Sequence, residues 1–105
     1  IQNTSDHLQV YSECTHFGIS VLSAGQTDLS GHYAKRGGHQ ALAEHFTEGA
    51  SAEPKLLGAL AHFTCATDAV HPGGDHQIIV GEVISFESAA GEPLVFFGGG
   101  YRALS

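Results

Sequence analysis

The stretch Pro72-Gly73-Gly74-Asp75-His76-Gln77-Ile78-Ile79-Val80-Gly81-Glu82-Val83 decides the fold of this 105-residue chain. Pro72, Gly73 and Gly74 spell a tight turn, and Gln77 to Phe86 then carries the β-branched and apolar content of a strand. The turn delivers an Asp-His pair onto the first residues of that strand. A histidine mounted there can face a ligand while the strand behind it holds it rigid.

Upstream of the turn, Ala59 to Val70 alternates Ala61, Phe63 and Cys65 against His62, Thr64 and Ala66, the pattern of a half-buried strand. Downstream, Gly91-Glu92-Pro93 turns the chain into a further strand, Leu94 to Phe97, whose Phe96 and Phe97 point to opposite faces, one toward a core and one toward an interface. Antiparallel neighbours joined by short turns make a meander, and so many strands in a short chain predict a barrel or sandwich.

The first half mixes periods. Ile1 to Ser5 reads as the end of a strand, and Ser5 can cap a short helix to about Thr15 with Asp6 in its first turn. Phe17 to Leu22 alternates as a strand with Phe17, Ile19 and Val21 on one face. A second helix opens at Thr27 or Asp28 and reaches Ala34 before Gly37 and Gly38 break it. Leu42 to Phe46 is a further helical turn, and Thr47 to Glu53, small and polar, reads as a mobile loop. The class is therefore mainly β, α+β in detail.

Composition bounds the function. Eleven acids against four bases give a formal charge of −7, which repels a polyanion and argues against nucleic acid as partner. No window approaches the roughly 18 continuous apolar residues of a membrane span. Cys14 and Cys65, without a secretory h-region, point to a reducing, cytoplasmic setting and read as small buried hydrophobes. Eight histidines raise the question of metal, but neither H-E-x-x-H nor H-x-H occurs, so no metal site is expected. No Gly-x-Ser-x-Gly elbow is present either. The absence of methionine predicts that Ile1 is not the translation start and that a preceding segment was removed or left out.

Taken in order, F-x-I-S-V-L from Phe17, Y-A-K-R-G from Tyr33, E-H-F from Glu44, L-x-G-A-L-A-x-F-x-C from Leu56, G-D-H-x-I-I-V-G-E-V from Gly74 and P-L-V-F-F-x-G-x-Y-R from Pro93 resemble the flavin reductase-like proteins. The resemblance implies an antiparallel FMN-binding split barrel with short inserted helices, of which residues 1–105 are the C-terminal two-thirds. It implies NAD(P)H-dependent reduction of FMN or FAD, with NADH or NADPH as co-substrate, and delivery of reduced flavin to a partner monooxygenase by a homodimer.

It also implies site residues. Asn3, Thr4 and Ser5 fall where the family's strand end meets the ribityl and phosphate of the flavin, and a helix start with short hydroxyls suits an anion. Lys35 and Arg36, the one adjacent basic pair, would neutralise a phosphate; a solvated loop is the plainer reading. His76 would lie over the flavin face, near the nicotinamide amide or pyrophosphate, as a hydrogen-bond donor, with Asp75 bracing the turn or orienting the ring. Tyr101, after Gly98-Gly99-Gly100, would present its ring to the ligand or to a dimer partner. Glu44-His45-Phe46 departs from the family's Asp-Lys-Phe. Two other classes stay open on the residues: a flavin-binding electron carrier without a nicotinamide site, and a structural remnant that binds nothing.

Overall fold

β-branched and aromatic residues set the extent of the longest pair of strands. The computed structural model of the chain describes residues 1, 14–34 and 42–104. Within it β1 (His16–Val21) is followed by α1 (Thr27–Ala34), a short 3-10 turn (Ala43–His45), β2 (Phe46–Glu48), β3 (Pro54–Leu56), β4 (Ala61–Gly73), β5 (His76–Ser88), β6 (Val95–Phe97) and β7 (Gly100–Arg102). The strands make three antiparallel sheets: β1-β4-β5, the β2-β3 hairpin and the β6-β7 hairpin. The fold is mainly β as expected, and among the described residues the sheets are not closed into a barrel.

The turn sits later than the sequence predicts. Pro72 and Gly73 are still in β4, paired with Gln77 and His76, and the connection is the two residues Gly74 and Asp75. Gly74 has φ 65°, the left-handed value that a two-residue hairpin turn needs and that glycine adopts at no steric cost. Two register shifts interrupt the ladder, one beside Thr64 and Cys65 and one beside Thr67 and Ala69. They leave Ile84 of β5 and Asp68 of β4 without an opposite residue.

Thr47 to Glu53 is not a plain loop. Thr47 and Glu48 pair with Lys55 and Pro54, and residues 49–53 close the hairpin through Gly49 N–H to Glu53 O (2.8 Å) and Ala52 N–H to Gly49 O (3.0 Å). Backbone pairing overrode the low strand propensity of those small residues. The helical turn expected over Leu42 to Phe46 is the 3-10 turn, and the second helix has the predicted bounds. The helix expected from Ser5 falls outside the described residues except for Cys14 and Thr15, which are not helical.

Burial inverts the alternation of β4. The rows Ser20-His62-Glu87 and Gly18-Thr64-Ser85 face the β2-β3 hairpin, whereas Ile19, Phe63 and Phe86 line up on the opposite face. His62 and Thr64 are buried at 3% and 2% exposure, while Phe86 is 70% exposed. The hairpin covers the polar face and so buries what the pattern would have left outside. Cys65 is buried as predicted, and burial pushes its thiol up, helped by the nearby Glu53 charge; Cys14 is only half-buried. Phe96 and Phe97 were expected to divide between core and interface, but both are exposed among the described residues: β6 pairs with β7 in a two-stranded sheet, and the Phe96 ring packs on Tyr101 of that same hairpin.

Candidate functional site

His76 is the first residue of β5, where the Gly74-Asp75 turn releases the chain. Its Nδ1–H donates to Asp75 Oδ1 at 2.6 Å, which leaves Nε2 as the ring atom for a ligand. The hydrogen bond from His76, and then its charge, hold the Asp75 carboxyl below the usual range, so Asp75 is an acceptor fixed beside the ring. Next to it, Ile1 and Gln77 exchange both backbone bonds: Ile1 N–H to Gln77 O at 2.8 Å and Gln77 N–H to Ile1 O at 2.6 Å. The segment leading to Asn3, Thr4 and Ser5 thus starts beside the hairpin tip. Those three residues, with Lys35 and Arg36, lie outside the described residues.

Tyr101 is elsewhere. Its Oη donates to Ser30 Oγ of α1 at 2.9 Å, and its ring meets Phe96 edge-on at 5.4 Å. β6 and β7 are tied to the end of β1 by Leu94 N–H to Leu22 O and by the Ser23-Pro93 bridge, and Leu60 N–H donates to Val21 O. Tyr101 therefore belongs with the base of the β4-β5 hairpin and His76 with its tip. Twelve steps of strand at roughly 3.3 Å give a contour of about 40 Å between the two ends, against a longest molecular dimension of 37 Å.

A cavity of about 480 Å³ lies between α1 and the 3-10 turn, lined by Gln26, Asp28, His32, Glu44, His45 and Leu57 among others. Tyr33 Oη accepts the Leu42 N–H at 3.1 Å and meets His45 Nδ1 at 2.9 Å, which orients the imidazole against that wall. Among the described residues no group of three or more His, Cys, Asp or Glu side chains could hold a metal ion.

Sequence reasoning missed a buried polar group beneath the β2-β3 hairpin. Glu53 Oε2 accepts from His62 Nε2 (2.9 Å) and Thr64 Oγ1 (2.9 Å), Glu53 Oε1 accepts from Ser51 N–H (2.9 Å), and His62 Nδ1 meets Ser20 Oγ at 2.8 Å. Burial pushes the Glu53 carboxyl up, but these donors outweigh it and the pKa is lowered to about 2. The available signal was Gly18 and Gly49. A Cβ at Gly18 would stand 2.6 Å from His62 Cε1, and one at Gly49 would overlap the Glu53 carboxylate. Beside this group Lys55 pairs with Glu87 between two cavities of about 260 and 290 Å³.

Comparison with known proteins places these features in a family. The flavin reductase like domain model matches residues 1–105. The chain is 40% identical over 103 residues to FMN reductase (NADH) SmoA of Agrobacterium fabrum, covering 97% of this chain and 58% of that protein. It is 47% identical over 89 residues to the reductase component of 4-hydroxyphenylacetate 3-monooxygenase of Thermus thermophilus, covering 84% and 54%. The chain therefore spans little more than half the length of these relatives. The structure of the NADH:FAD oxidoreductase SgcE6 of Streptomyces globisporus superposes with a TM-score of 0.89 at 32% identity, over all of this chain and 66% of that one. The same enzyme in complex with NAD and FAD fragments gives 0.85 at 28% identity, over 100% and 65%. With the family model matched over its whole length, the chain belongs to the flavin reductase-like domain family.

Proposed function

We propose that residues 1–105 are the C-terminal two-thirds of a cytoplasmic flavin reductase domain that uses NADH or NADPH to reduce FMN or FAD and passes the reduced flavin to a partner monooxygenase. The observation that carries this reading is the match of the family over every residue, shared with relatives named as NADH-dependent reductases and as a monooxygenase reductase component. No helix among the described residues is long and apolar enough to cross a membrane.

When bound, the two cofactors supply the redox chemistry: a hydride leaves the dihydronicotinamide and enters the flavin ring. The chain's own residues have to bind, orient and exclude. His76 offers Nε2 to the nicotinamide side while Asp75 fixes the ring plane through Nδ1. Asn3, Thr4 and Ser5 take the ribityl and phosphate, Lys35 and Arg36 neutralise phosphate, and Tyr101 presents its ring.

Because His76 and Tyr101 stand at opposite ends of the long hairpin, one flavin reaches both only if two protomers contribute. A homodimer is the form of the protein that this placement favours. Exposed Phe86, Phe96 and Phe97 supply apolar surface for such a contact.

The test is oxidation of NADH and NADPH, followed by absorbance, by the native protein supplied with free FMN or FAD. Turnover of at least one pair is expected. No oxidation above background with any of the four combinations would remove the proposal.

A further inference from the structure

Glu53, His62 and Thr64 are the buried polar side chains among the described residues, and with Ser20 they form a group separate from the residues assigned above to the cofactors. They join three elements: Ser20 on β1, His62 and Thr64 on β4, Glu53 at the close of the β2-β3 hairpin. The direction of each bond follows from what each atom can do. An ionised carboxylate only accepts, so His62 Nε2 carries a hydrogen. In the neutral ring Nδ1 then accepts, so Ser20 Oγ–H donates to it, and a lone pair of Ser20 Oγ takes the Leu56 N–H at 3.3 Å. Every donor has an acceptor, and no buried side-chain nitrogen or oxygen described is left unpaired.

A second proton on the ring changes one bond only. Nδ1–H would now donate to Ser20 Oγ, whose hydroxyl hydrogen swings away, and whose two lone pairs accept Nδ1–H and Leu56 N–H together. The other charged groups around the ring stay as they are: Glu53, Lys55 and Glu48 come from the hairpin, and Glu87, held by Lys55, from β5. We infer that Ser20, His62, Glu53 and Thr64 form a reversible fastener that positions the β2-β3 hairpin on the sheet in either charge state of His62, with the Ser20 hydroxyl as its swivel. By way of Leu57 N–H to His45 O and Gln26 Nε2 to Leu57 O, the same hairpin sets the wall of the cavity beside α1. Ser20 is a positioning residue here, although Ser20, His62 and Glu53 superficially resemble a nucleophile, base and carboxylate.

Nitrogen-15 spectra of the histidines in the wild-type protein test the bond directions. In its neutral form the ring of His62 is expected as the Nε2–H tautomer; an Nδ1–H tautomer would overturn the assignment. Amide exchange at Leu56, corrected for intrinsic rate, is expected to be the same in wild type whether those spectra show the His62 ring singly or doubly protonated. In Ser20→Ala it should be faster by about tenfold, the size of one net hydrogen bond, and Ser20→Thr should restore it. Loss of wild-type protection where the spectra show the doubly protonated ring, or a ring that never takes the second proton in the folded protein, would overturn the swivel. So would exchange in Ser20→Ala equal to wild type, or covalent labelling of Ser20 by a fluorophosphonate.

Discussion

Replacing Glu53 with glutamine tests the buried polar group where its energetics are largest. The carboxyl is lowered from 4.5 to about 2, so folding binds its ionised form. At about 1.36 kcal/mol per unit the shift sets an upper limit of about 3 kcal/mol. Only a two-stranded hairpin lies over it, and solvent screening through that thin cover reduces the value to about 1–2 kcal/mol. The sign follows from linkage. A depressed carboxyl contributes stability that is fully present above its unfolded pKa and is lost as pH falls from 4.5 through about 2. In Glu53→Gln one carboxylate oxygen becomes an NH₂ that faces a donor, His62 Nε2–H and Thr64 Oγ1–H on one side or Ser51 N–H on the other. The variant should be about 1–3 kcal/mol less stable at neutral pH. Urea unfolding of both proteins at pH near 7, 4 and 3 is the assay, and the gap between the two curves should narrow by about 0.6–1.2 kcal/mol by pH 3, roughly 60% of the discounted value, because that pH still lies above the folded pKa. Taking the difference cancels Asp75, the other carboxyl held low among the described residues, which both proteins share. A gap that stays constant with pH would refute the reasoning.

Gly49→Ala places a methyl on the Glu53 carboxylate and should cost about 1–3 kcal/mol; an unchanged melting temperature would show that the hairpin gives way freely. Ala52 adopts φ 62° at the hairpin's end, so Ala52→Gly should be neutral or stabilising by up to about 1 kcal/mol, and a lower melting temperature would contradict the assigned conformation. His76→Ala should lower kcat/KM for the nicotinamide by about ten- to hundredfold, and Asp75→Asn by less, since it only frees the ring. Equal losses in steady-state kinetics would make Asp75 a ligand contact in its own right.

What the residues disclosed depended on how local the cause was. Ile78, Ile79 and Val80 after two glycines announce a hairpin, because strand propensity and turn chemistry act within a few positions. α1 was legible for the same reason, with Asp28 in its first turn. The β2-β3 hairpin was not, since Ser51 and Ala52 carry no strand signal and their order comes from Glu53, which is held by side chains of the following strand, His62 and Thr64, that meet it only once the hairpin is docked on the sheet. His62 and Thr64 misled for a related reason: alternation tells that a strand has two faces, and only tertiary contact decides which is covered. Of the candidate site, His76 and its Asp75 partner were readable from adjacency. The distance separating Tyr101 from His76 was not, because it follows from β6 docking at the end of β1.

The two irregularities of the β4-β5 ladder act like an insertion and a deletion in a reading frame. Ile84 is the extra residue on one strand and Asp68 on the other, so the register displaced at the first is restored at the second. Gly73 consequently meets His76 as though the ladder ran unbroken. Deleting either Asp68 or Ile84 alone would leave the rest of the hairpin out of frame and turn His76 to the other face of the sheet. Deleting both would bring it back, so any lineage that lost one of these residues could keep its histidine in place only by losing the other.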